Sequence, residues 1–93
     1  MTFLLKDPQA VLDYAVDWGA EYLGGDVLAS SDWSVIPEEP GGVTIAGSSF
    51  DSAIATVKAA GGVAGRLYRL CNHVVLASGR IDSRSILLRL EAR

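Results

Sequence analysis

The stretch GRLYRLCNHV, residues 65–74, decides how the chain is read. Two-residue periodicity divides it cleanly: Tyr68, Leu70, Asn72 and Val74 fall on one side, Arg69, Cys71, His73 and Val75 on the other. That is the pattern of a strand with one buried face. The glycine three residues before Tyr68 adds a second signal. Gly65-x-x-Tyr68-x-Leu70 has the shape of a tyrosine corner, in which the tyrosine hydroxyl returns to the backbone of the preceding turn of a β-sandwich, with Leu70 at the inward position that follows.

Working outward, the alternation repeats. In VLDYAVDW, residues 11–18, Leu12, Tyr14, Val16 and Trp18 share a side. A helical register also fits Leu12, Ala15, Val16 and Gly19, but the aromatic and β-branched content and the stop at Gly24-Gly25 favour a strand. VLASSDWSVI, residues 27–36, reads as another, with Val27, Ala29, Ser31, Trp33 and Val35 on one side and Trp33 as the large inward anchor. PEEPGG, residues 37–42, breaks regular structure, and its carboxylates read as solvated. Short strands follow at 43–46 and 53–60, separated by GSSFDS, and the second places Ala53, Ala55, Val57 and Ala59 on one face. After residues 67–77, ASGRIDSR reads as a polar hairpin connection, and 85–91 as a last strand that pairs centrally, with Ile86, Leu88 and Leu90 inward.

Six to seven short strands with regularly spaced turns predict an all-β, immunoglobulin-like antiparallel β-sandwich over residues 9–93. Residues 1–8 read as an N-terminal arm, because Phe3, Leu4 and Leu5 have no evident core partner. A chain of 93 residues has room for one core and stands to gain from neighbouring subunits.

A formal charge of −3 is poor material for neutralising a phosphate backbone, so nucleic acid is set aside as a partner. No run approaches the length of a membrane span or of a signal peptide's apolar core, which points away from membranes and toward the cytoplasm or a particle assembled there. One cysteine and one histidine, Cys71 and His73, share a strand face, yet neighbouring sequence offers no third ligand; they read as a half-buried thiol and a solvated imidazole. GGVAG, residues 61–65, lacks the Lys-Ser/Thr of a phosphate loop, and no nucleophile elbow accompanies the serines near residue 80. No catalytic residue, cofactor or metal site is expected. Arg80, Asp82 and Arg84 share strand parity and suit a contact surface, arginine being enriched at hot spots.

Over most of its length the chain resembles phage fiber-tail adaptor proteins, small virion components of tailed bacteriophages and prophages. The resemblance runs through KDPQAVLDYAVDW, DVLASSDWSV, GGVAGRLYRLCNHV and GRIDSRSILLRL. It covers Lys6, Asp7, Pro8, Asp13, Tyr14, Asp17 and Trp18, then Trp33, then Gly61, Gly62, Gly65, Tyr68 and Asn72, and finally Gly79, Arg80, Asp82, Arg84 and Ser85. Cys71, His73 and the acidic PEEPGG loop depart from it. The resemblance implies a non-enzymatic structural protein of the virion, assembled in the bacterial host cytoplasm as a symmetric homo-oligomer in contact with tail, fibre, neck or capsid proteins. Expected contact residues are Phe3, Leu4, Leu5, Arg80, Asp82 and Arg84; expected structural residues are Tyr14, Trp18, Trp33, Tyr68 and Leu70. The alternatives are a capsid decoration protein and a carbohydrate- or host-surface-binding module, the latter needing an exposed aromatic such as Tyr22.

Overall fold

A computed structural model describes residues 2–19 and 24–92. Seven strands follow in order: β1 Thr2–Lys6, β2 Leu12–Asp17, β3 Leu28–Ile36, β4 Val43–Phe50, β5 Ile54–Gly61, β6 Leu67–Leu76 and β7 Ile81–Leu90. They form a four-stranded sheet, β1-β7-β6-β3, and a three-stranded sheet, β2-β5-β4. The all-β sandwich reading holds. All pairings are antiparallel except that of β1 with β7, which is parallel.

The core lies between the sheets, and the alternation of β5 and β6 builds most of it. Ala55, Val57 and Ala59 from one side meet Tyr68, Leu70, Val74 and Leu76 from the other, all buried. β7 adds Ile86, Leu88 and Leu90 and sits inside its sheet, between β1 and β6. The small alanines of β5 leave room for Trp18, which is fully buried. Where strands end, glycines allow close approach: Gly62 has φ +119°, and a Cβ there would lie 2.5 Å from Leu90 Cδ1.

The structure corrects the sequence reading in several places. Residues 2–6 are not an arm extending from the sandwich; they are its edge strand β1, and Leu4 packs against the core. Lys6, on the same parity as Leu4, is only 1% exposed, and its ammonium donates to the carbonyls of Asp7 (2.9 Å) and Gly61 (2.8 Å). Burial pulls its pKa below the ordinary lysine value, with Asp7 opposing. A second correction concerns β4, which continues to Phe50 through a register shift between Ile45 and Gly47. Pairing with β5 overrides the turn propensity of Gly47-Ser48-Ser49. The turn itself is confined to the residues around Asp51, whose Oδ1 accepts from the N–H groups of Ala53 and Ile54, both at 2.8 Å.

Third, β7 begins at Ile81, so the second half of the expected hairpin connection is strand. Fourth, a register shift between Leu28 and Ser30 changes the phase of β3: Leu28 turns inward, while Ser31, Trp33 and Val35 keep their expected side. Leu12, expected inward at the start of β2, is 40% exposed. Fifth, the fully buried tryptophan is Trp18, whereas Trp33 is half-buried on the edge strand β3.

Candidate functional site

The polar groups inside the sandwich explain how its surfaces are positioned. Asn72 sits on the inward face of β6 and is fully buried. Its Oδ1 accepts from Trp18 Nε1 at 2.8 Å, and its Nδ2 donates to Ser31 Oγ at 2.8 Å and to the Asp32 carbonyl at 3.1 Å. One amide thereby ties the end of β2 to β3 across the core. A polar residue at an apolar parity position was the sequence signal for this role.

Tyr68 has the geometry of a tyrosine corner. Its hydroxyl accepts the Val63 N–H at 3.1 Å and donates to Glu39 Oε1. Glu39 also pairs with Arg66 at 3.3 Å. The acidic loop, expected to be solvated, is therefore pinned by Glu39 to the turn that precedes β6. Burial, and then the bond to Glu39, push the Tyr68 hydroxyl above its ordinary pKa. Leu70 follows as a fully buried core residue.

Arg80, Asp82 and Arg84 do not share one environment. Arg80 lies in the turn before β7 and reaches Asp26 at 3.4 Å; Asp26 also accepts from the hydroxyl and the N–H of Ser78 and from the Val27 N–H. These bonds, led by that of the Ser78 hydroxyl, hold the Asp26 carboxyl below its ordinary pKa and fasten the β6–β7 turn to the approach of β3. Asp82 Oδ1 accepts the Ser83 N–H at 2.7 Å. Arg84 lies 4.5 Å from the centroid of the Trp18 ring, and its NH1 donates to the Asp17 carbonyl at 3.4 Å. Such a stack covers the indole with a cation. Leu5 remains 44% exposed on β1, and Leu4 is partly buried.

Cys71 is half-buried and His73 exposed, with His73 Nδ1 3.0 Å from Ser83 Oγ. Among the described residues no three His, Cys, Asp or Glu side chains converge as a metal site would require. A sugar platform would need an exposed aromatic: Trp18 is covered, Tyr14 and Trp33 are half-buried, and Tyr22 lies outside the described residues.

Two surfaces could not be read from sequence, because each joins segments distant in the chain. At one end of the outer face of the four-stranded sheet, the registers place Leu5, Arg89 and Leu67 in one row and Leu87, Arg69 and Ile36 in the next. Leu5, Leu67 and Ile36 are exposed there. The second surface is a cleft between β2 and the first half of β7, lined by Tyr14, Asp17, Ser83 and Arg84 among others.

Two sheets tied together by Asn72, Lys6 and the Tyr68 corner, with strand edges and an arginine-laced apolar face turned outward, define an all-β structural domain. The chain belongs to the family described as Podophage GP4 fiber-tail adaptor protein gp77, whose profile matches residues 6–89. None of the curated proteins matches it.

Proposed function

We propose that this protein is a non-enzymatic virion adaptor that links the tail of a bacteriophage to its fibre through protein–protein contacts, in several copies arranged symmetrically and assembled in the host cytoplasm. The family match carries this reading, because residues 6–89 take in the whole three-stranded sheet, β3, β6 and nearly all of β7, together with the interior polar links of Lys6, Tyr68 and Asn72. Two features of the molecule support it. The division of the strands, with β3, β6 and β7 in one sheet and β2, β5 and β4 in the other, supports reading the sandwich as an immunoglobulin-like scaffold that offers loop ends and edges to partners. Leu5, Leu67 and Ile36, interleaved with Arg69 and Arg89, also supply the apolar and arginine character typical of contact surfaces.

The test is to count this protein against the tail-tube and capsid proteins in purified particles by quantitative mass spectrometry. A copy number matching one ring, at the tail, is the expected result. A count comparable to that of the capsid protein would make it a decoration protein instead, and absence from particles would overturn the structural reading in favour of surface-glycan binding.

A further inference from the structure

The partner edge of β7 is only half used. Leu90 donates its N–H to the Arg66 carbonyl on the β6 side, while Glu91 donates to the Lys6 carbonyl on the β1 side. Even-numbered residues of β7 therefore turn their backbone groups toward β6 and odd-numbered ones toward β1. β1 occupies its side from Ile86 to Leu90. Along Ile81–Ser85 no strand among the described residues pairs with that side. The Ser83 N–H, one of the edge donors there, is instead held by the carboxylate of Asp82 at 2.7 Å. A charged side chain beside an open edge is a common way to keep it from pairing indiscriminately.

Facing this edge is β2, the outer strand of the other sheet. The cleft between them is lined by Leu4, Tyr14, Asp17, Ser83, Arg84 and Ile86. Tyr14 is one of the residues lining this cleft, and its Oη is buried without a hydrogen-bond partner. Leaving a buried hydroxyl unpaired is unfavourable, and an acceptor introduced into the cleft would relieve it.

We infer that this cleft accepts a strand: a short extended segment of another virion protein adds to the four-stranded sheet along Ile81–Ser85, in line with β1, and supplies an acceptor to the Tyr14 hydroxyl. The occupant is a peptide because the edge offers a peptide's complement, N–H and C=O groups at strand spacing over about 16 Å for five residues. No sugar or ion presents that repeat. Strand addition gives affinity through the main chain, and the side chains of Tyr14, Arg84 and Ile86 would select the sequence that fits. The inference rests on the adaptor reading, which supplies the partner chains, and adds the surface and the mode of binding.

Two variants of the full chain, produced during growth of the phage, test it. In one, the photo-crosslinking residue p-benzoylphenylalanine replaces Ser83; a control carries it at Lys58 on the other sheet. Irradiated particles should contain an adduct between position 83 and a segment of another virion protein, and none from position 58. In the other, Ser83→Pro removes an edge donor without disturbing the β6 ladder. It should lower the copies per particle at least tenfold while thermal unfolding of the isolated protein stays within a few degrees of wild type. If Ser83→Pro fails to fold, the crosslinking result decides alone. No adduct at position 83 in particles that contain the protein overturns the strand slot and leaves the adaptor reading standing. Absence of the wild-type protein from particles overturns both.

Discussion

Asn72→Ala would leave the fully buried Trp18 Nε1 without this acceptor and would take a donor from the part-buried Asp32 carbonyl and Ser31 hydroxyl. The expected loss is about 3 kcal/mol, since each stranded buried group costs roughly 1–3 kcal/mol. It would be read as a lower urea midpoint at unchanged slope. Titration gives a second residue-scale expectation. Tyr14 and Tyr68 both hold their protons above the ordinary value of 10.0, Tyr14 through burial and Tyr68 through burial and Glu39. The unfolded chain releases those protons near pH 10.0 while the folded chain keeps them, so stability falls as pH rises past that value. Lys6 acts in the opposite sense: its lowered pKa means the folded state loses that proton first, and stability is regained as pH climbs toward 10.5. Once the pH passes 10.5 the Lys6 gain is complete, so denaturation midpoints should decline there through the tyrosines, and Tyr68→Phe should flatten the decline. At this scale the sequence was legible where parity and residue type agreed, as at Tyr68 and Leu70. It misled at Trp33, because only the register of β3 reveals that this tryptophan lies at an edge.

The strands that could be read were those whose faces differ sharply. β5 and β6 follow their alternation closely, because one side of each is buried against the other sheet. β4 and β7 were underestimated, since Gly47, Ser48, Ser83 and Arg84 have turn-like or polar character and are held in strand only by their neighbours. Gly62 shows how the joints between strands are constrained. With φ at +119° and a Cβ position 2.5 Å from Leu90 Cδ1 and 3.1 Å from Val43 Cγ2, Gly62→Ala meets both backbone strain and a clash. About 3 kcal/mol of destabilisation is expected from the two effects together. Gly25→Ala is the control, because φ there is +92° but nothing lies within 4 Å of the added carbon. Its smaller loss, about 1 kcal/mol, would isolate the backbone contribution.

For the whole molecule, the N-terminal segment decides what deletion experiments mean. An arm could be removed without harm to the domain, but residues 2–6 are paired with β7 and anchored by Lys6 to the other sheet. Deleting residues 1–6 should therefore unfold or strongly destabilise the protein, seen as loss of cooperative thermal unfolding. Leu5, exposed on β1, is the better place to probe contact, and Leu5→Ser should leave the fold intact. This long-range closure was invisible in sequence for a physical reason: five residues carry too little pattern to announce a partner some eighty positions away.

The parallel pairing of the first and last strands also determines how the molecule bears load. The chain enters β1 at Thr2, opposite Ile86, and leaves β7 at Leu90, opposite Lys6, so its two ends lie at opposite ends of one shared ladder. Tension drawn through those ends runs along the strands. It shears every rung of the ladder together instead of peeling them one by one, and a joint built this way resists pulling until the whole row gives at once.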